Sequence, residues 1–464
     1  MKRLIAIAVA GALGLTGLII TNSKHSNVPV LRVANWAEYI DDGTDSGMHM
    51  VERFEAWYKE KMGKEIRVEY STADDNEILY NLLRMGDKFD LICPSEYMLM
   101  KLAVEGYLQK LPESFYDITN PENYYIQNVS PFILDTFTNN SIQGTPWKEY
   151  SAGYMWGTTG FVYNPEVVSE EEVSTWNIYN NPKVYKKITA KNNIRDTYFV
   201  GLAMYHDAEL REWKQAYQEG TVTLREYNAK LSDLMNDVSH ETMNNTKQIL
   251  SGITPNLYGF ETDEGKQNTI TGKVAVNYQW SGDAVTVLCE ADGSWYDEEE
   301  NPAPAGFEPL YLNYCIPETV SNLWFDGWAI TKDCKDVELA TSFINFLSMP
   351  ENVIYNMDYI GYTSCIGSKE VFDDYVVAGY SAEEDDDTAV RYDLNYYFNP
   401  NYDRNDPTTA SEEYVFYTPV LNTKRQLFAQ YPQERDLDRC VAMRYFDADA
   451  NTRANSMWSD ITFF

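Results

Sequence analysis

At 464 residues, with a net charge of −34 at neutral pH and 14% aromatic side chains, the chain is long, strongly acidic and rich in rings. Such a charge repels phosphate backbones and anionic lipid headgroups, which excludes nucleic acid and anionic membrane surfaces as partners, and it draws cations. The six cysteines (Cys93, Cys289, Cys315, Cys334, Cys365, Cys440) form no C-x-x-C pair, and the four histidines (His25, His49, His206, His240) no i,i+3 or i,i+4 pair. No metal centre and no cofactor is therefore expected, while one or two disulfides stay open.

Lys2 and Arg3 precede an uncharged apolar stretch over 4–20, followed by polar residues to Ser26, the pattern of an export signal. The stretch exceeds a usual signal core and lies near the lower limit for spanning a bilayer, so 1–26 is either a cleaved signal peptide or an N-terminal membrane anchor. With Cys93 as the first cysteine, no lipidated cysteine tethers the chain here. Roughly 440 residues remain, too many for one ordinary core and suited to two lobes of about 200 residues with a cleft between them.

Strand and helix then alternate. The patterns predict a strand over 30–34, a helix over 48–62, a strand over 65–70, a helix over 77–85, a strand over 89–93 and a helix over 97–104 stopped by Gly106. This order calls for a mostly parallel sheet with helices on its faces, where ligands bind beyond the carboxyl ends of the strands. Further on, 154–164 reads as an extended segment crossing between lobes, 274–278 and 327–331 as strands, and 337–347 as an amphipathic helix ended by Pro350. The acidic run 383–387 and the Tyr-, Asn- and Asp-rich run 392–406 read as solvated insertions.

Several tryptophans and tyrosines stand within a few residues of a carboxylate or amide: Asn35-Trp36-Ala37-Glu38-Tyr39, Pro94-Ser95-Glu96-Tyr97, Tyr278-Gln279-Trp280-Ser281-Gly282-Asp283, Trp324-Phe325-Asp326 and Ile360-Gly361-Tyr362-Thr363. A ring face beside a negative charge suits an organic ammonium ion. Trp36 with Tyr39 and Ser95 with Tyr97 follow predicted strands directly, as does Trp280, so these segments gather on one rim. Trp156, Trp176, Trp213 and Trp328 are expected in core or hinge packing. No phosphate-binding loop, dinucleotide fingerprint, G-x-S-x-G or H-E-x-x-H motif is present. Paired carboxylates for glycan hydrolysis and stacking rings for sugar binding remain as competitors.

The ordered set Asn35-Trp36-x-Glu38-Tyr39, Asn76-Glu77, Asp90-Leu91-x-x-Pro94-Ser95-x-Tyr97, Trp156-Gly157-Thr158-Thr159-Gly160, Trp324-x-Asp326 and Ile360-Gly361-Tyr362 resembles the spermidine/putrescine-binding component of bacterial polyamine ABC transporters, over about 30–370. The resemblance implies an α/β, two-lobed periplasmic-binding-protein-like fold of type II, with lobes at 30–153 plus 323–370 and at 154–322 plus 371–464, and a ligand cleft at the hinge. It implies a non-enzymatic, monomeric protein outside the cytoplasm that hands a polyamine to a membrane permease driven by an ATPase subunit. The binding positions it implies are Trp36, Tyr39, Ser95, Tyr97, Asn193, Asp196, Trp280, Trp324, Asp326 and Tyr362, with Asp326 as the leading anchor. The rings cover the methylene chain and the carboxylates neutralise the amines. Ser95 has helix capping as its alternative role, and Asp196 a cap or surface ion pair. One departure stands out: where the family has two acidic residues three apart, this chain has Asn193 and Asp196. An amide accepts from an ammonium without neutralising it, which favours a short diamine such as putrescine over spermidine. Glu38 and Asp283 are expected to stand outside the cage.

Overall fold

The computed structural model describes residues 28–462 apart from 45, 262–263, 297–300 and 384; the expected signal or anchor at 1–26 lies outside them. The strands that matter for the site are β1 (Val30–Trp36), β2 (Arg67–Ala73), β3 (Leu91–Ile92), β4 (Ala152–Tyr163), β5 (Ile188–Lys191), β6 (Gly259–Glu261), β7 (Val276–Trp280), β8 (Asn313–Cys315), β9 (Ser321–Ile330), β10 (Thr363–Ser364) and β11 (Cys440–Val441). They form one sheet in the order β2-β1-β3-β9-β4-β7-β5-β6, with β8 and β10 on β4 and β11 on β9. Its two ends are parallel: β1 lies between β2 and β3, and β5 between β6 and β7. The long strands β4 and β9 run antiparallel to each other and to their outer neighbours. β4 pairs with β9 up to Thr158 and with β7 from Thr159, so a single buried strand joins the two parallel groups. The extended segment expected at 154–164 is this strand.

Helices start and stop where local chemistry says they should. α1 (Met50–Met62) lies between β1 and β2 in the chain; Asp75 accepts from the Ile78 N–H at 2.7 Å to cap α2 (Asn76–Met85), and Gly86 closes it in the left-handed region at φ 101°. α3 (Glu96–Val104) follows β3 directly, with Gly106 at φ 73° just past its end. α4 (Ile194–Tyr205) follows β5, and α5 (Ser281–Asp292) follows β7 without a loop. Pro350, expected only as a helix stop, is also the first residue of a new helix, α7 (Pro350–Ile360), after α6 (Val337–Leu347). A proline at that position loses no hydrogen bond, because the first turn has no acceptor for its N–H.

One buried core gathers around β1, α6, α7 and α5, and a second around β5, α4 and the helices after it. Trp156, Trp176 and Trp328 are buried, and Trp213 is partly buried against the second core. All six cysteines are buried and unpaired. The run 392–406 corrects its expectation as a solvated insertion. Tyr392, Leu394, Tyr396, Tyr397 and Phe398 are buried. Tyr397 stacks on Trp156 with ring centroids 5.4 Å apart, and its hydroxyl accepts from the Trp156 indole at 2.7 Å. The polar residues among them serve the turn rather than solvent: Asn395 is buried and donates to the Ser411 carbonyl at 3.0 Å. Glu383, Asp385 and Asp387 are exposed, as are Asn401 and 403–406. Apolar residues of 371–437 lie in the first core, whereas Val441, Met443, Ala454, Met457 and Ile461 lie in the second.

Candidate functional site

The site begins where β1 ends. After Trp36 the chain turns through Glu38 in the left-handed region at φ 53°, and the Asn35 side-chain amide donates to the Tyr39 carbonyl at 3.2 Å, which brings Tyr39 back over the strand exit. On β9 the register with β4 shifts between Asp326 and Gly327, a bulge of the kind that re-aims a side chain. Asp326 there meets three neutral donors. The Tyr39 hydroxyl donates to Oδ2 at 2.7 Å, the Ser95 hydroxyl to Oδ1 at 2.7 Å, and the Trp36 indole adds a third bond. Burial pushes the Asp326 carboxyl up to about 6 although all three donors favour its charged form. Ser95 heads α3 but makes no capping bond with its side chain; it is spent on Asp326, while Asn76 donates to its oxygen at 3.0 Å and accepts from its N–H at 3.0 Å. Next to it Glu96 is buried, accepts from the Phe325 N–H at 3.2 Å and is pushed by burial up to about 8, so it carries a proton at neutral pH.

Rings extend from this carboxylate. Tyr39 meets Tyr362 edge-on at 5.5 Å, and Tyr362 meets Trp324 at 5.4 Å. Two glycines make the fit possible. A Cβ on Gly282 would lie 1.8 Å from the Tyr362 ring, and one on Gly157 would lie 2.3 Å from the Ser281 hydroxyl and 2.6 Å from the Trp324 ring.

A second group of charges continues from Tyr362. Its side chain bonds to Asp283 at the start of α5. Asp283 lies 2.8 Å from the Lys266 ammonium and 4.0 Å from that of Lys191. Burial works against its charge, yet Lys266 and Lys191 hold its carboxyl below the usual range. Lys191, the last residue of β5, is 1% exposed; its ammonium stands 3.4 Å from the centroid of the Trp280 ring and donates to the Gln279 side chain. Asp196 is buried rather than on the surface and is raised by that burial, against the pull of Lys191, the Trp280 indole and Arg195. The Arg195 guanidinium lies over Tyr97 at 4.9 Å, so α4 closes against α3. Asn193 turns its side-chain oxygen to the Arg195 and Asp196 N–H groups at 2.7 and 3.4 Å and caps α4.

The ten expected positions thus lie along one run of side-chain contacts from Asp326 to Asp196, with Asn193 joined to it through the helix it caps. Glu38 is exposed. Sequence reasoning assigned no role to Lys191 or Arg195, quoted Glu96 and Asn76 in its motifs without making them binding positions, and left Asp283 outside. The adjacency of Asp283 to Trp280 at the head of a helix was the available signal for the last; a lysine that ends a buried strand gives none.

A model of the family described as bacterial extracellular solute-binding protein matches residues 49–379. The chain is similar to the spermidine/putrescine-binding periplasmic protein of Escherichia coli K12, with 25% identity over 77% of this chain and 82% of that protein. It is also similar to the putrescine-binding periplasmic protein PotF of the same organism, with 24% identity over 78% and 84%. Among solved structures it resembles the spermidine/putrescine ABC transporter substrate-binding protein PotD from Streptococcus pneumoniae, at TM-score 0.57 and 22% identity over 93% of this chain and 98% of that one. The Tp0655 (TpPotD) lipoprotein of Treponema pallidum matches at TM-score 0.59 and 18% identity over 94% and 100%. The expected α/β periplasmic-binding-protein fold of type II is therefore the fold of this chain.

Proposed function

The chain belongs to the family of bacterial extracellular solute-binding proteins, and we propose that its solute is a polyamine, delivered to an ABC permease with its ATPase subunit. It acts by binding and not by turnover, and the hydrolase alternative falls with that membership. One observation carries the polyamine reading: Asp326 is 6% exposed, is bonded by Tyr39, whose ring leads on to Tyr362 and Trp324, and among the described residues is held by hydroxyl and indole donors alone. A buried carboxylate without a cation costs several kcal/mol, and an organic ammonium offsets that cost while the rings cover its methylene chain. A short diamine of the putrescine type fits best, with one ammonium on Asp326. We further read the lobes as 30–153 with 323–370 and 154–322 with 371–464, the part 371–437 packing across the joint, and the protein as a monomer held at the membrane through 1–26 if that segment is retained.

A thermal-shift panel of putrescine, cadaverine, spermidine, spermine, basic amino acids and simple sugars tests the reading, because a ligand held by the native state raises the melting temperature. The diamines are expected to shift it most. A shift by sugars alone overturns it.

A further inference from the structure

The second charged group contains a feature that the polyamine reading leaves unused: the protein's own ammonium sits in an ammonium cage. Lys191 is almost fully buried, its Nζ lies 3.4 Å from the centre of the Trp280 ring, it donates to Gln279, and Asp283 stands 4.0 Å away. A ring face, an amide oxygen and a carboxylate are the groups that would receive a ligand amine. Here β5 delivers a lysine to them from within the chain. Asp326, in contrast, has no lysine or arginine paired with it among the described residues.

We propose that Lys191 acts as a resident ammonium that sets how many charges the ligand brings: it occupies one amine position of the cage, so the site prefers an amine with one ammonium fewer than it would take without the lysine. This rests on the polyamine reading and deepens it to a selection of diamine over triamine. The physical cause is like-charge exclusion in a buried site, where an additional ammonium beside Lys191 would be poorly screened. Lys191 is thus a specificity-determining residue, and spermidine is rejected by repulsion rather than by length.

Calorimetry with putrescine and spermidine on the full chain and four variants decides this. Wild type is expected to bind putrescine more tightly. Lys191→Met, which keeps the stem and removes the charge, should lower the ratio of the spermidine to the putrescine Kd at least tenfold, and Lys191→Arg should leave that ratio within about threefold of wild type. If Lys191→Met does not fold, Asp283→Asn in a Lys266→Met background serves on its own: with less counter-charge beside it Lys191 repels more strongly, and the ratio should rise threefold or more over that of Lys266→Met. An unchanged ratio in Lys191→Met, or a fallen or unchanged ratio when Asp283→Asn is added to Lys266→Met, overturns the inference while wild-type binding leaves the polyamine reading intact. Failure of wild type to bind either amine defeats that reading first, and the inference with it.

Discussion

The two ends of the cage hold carboxylates in opposite ways. At one end Asp326 is surrounded by Tyr39, Ser95 and Trp36, all neutral donors, and burial raises its carboxyl to about 6. At the other, Asp283 is matched by Lys266 and Lys191 and stays below the usual range despite burial. Among the described residues the first has only neutral donors, and the second is matched by two ammonium groups. On the polyamine reading proposed above, a ligand ammonium gains most at the first end, and the second end supplies walls and a limit.

The strongest way to break this contrast is to remove the carboxylate. Asp326→Asn leaves a desolvated ammonium facing an amide, and calorimetry should show putrescine affinity reduced by about a hundredfold or more. Retained affinity would place the anchor elsewhere. Gly282→Ala attacks the wall between the two ends, since its methyl carbon would stand 1.8 Å from the Tyr362 ring. Overpacking of this kind costs about 1–3 kcal/mol, so both a lowered melting temperature and roughly tenfold weaker binding are expected. A variant that binds as wild type does would show that Tyr362 is not part of the wall.

Protons distinguish the ends next. A ligand ammonium needs Asp326 charged, so below about pH 6 binding must expel a proton, and affinity should fall about tenfold per pH unit there and level off above. Calorimetry in buffers of differing ionisation heat should report close to one proton released at pH 5. A flat profile from pH 4.5 to 7.5 would contradict the raised Asp326. Glu96 gives the matching stability test. Its folded value of about 8 lies above the unfolded one, so the folded state holds its proton longer; the advantage is full below about pH 4 and is lost as pH rises to 8. Glu96→Gln escapes this loss, of the order of 1 kcal/mol per pH unit, and its melting temperature relative to wild type should climb between pH 5 and 8. A constant difference would mean that Glu96 is ionised in the fold.

How much of this could be read from the chain depends on the range of the interactions. Trp36, Ser95 and Trp280 were legible as a rim because each follows a strand whose apolar pattern is local, and Asp75 with Gly86 marks a helix by neighbours alone. The core role of 392–398 was hidden, because Asn395 and Asn399 read as surface residues while their amides are consumed inside the turn. Lys191 and Asp283 were illegible as a pair. They are far apart in sequence, they meet only because β7 lies beside β5, and a lysine contradicts the charge that the rest of the cage announces.

The smallest effect bears on the residue that most troubled the sequence reading. Asn193 stands where the family resemblance implies an acid, which points to a missing ligand charge. In the fold its side-chain oxygen is engaged by the N–H groups of Arg195 and Asp196, and the Asp196 carboxylate beside it already has Lys191 and Arg195 as its cations. Asparagine and aspartate cap helices about equally well, so Asn193→Asp should fold as wild type does. The added charge falls at the end of the cage that already has its own cations, at the N-terminus of α4, where it is stabilised by the helix rather than by the ligand. Putrescine affinity should therefore change by less than about threefold, read by calorimetry. A tenfold gain would show that this side chain counts toward the ligand, and the two ends of the cage would then be less different than their charges make them.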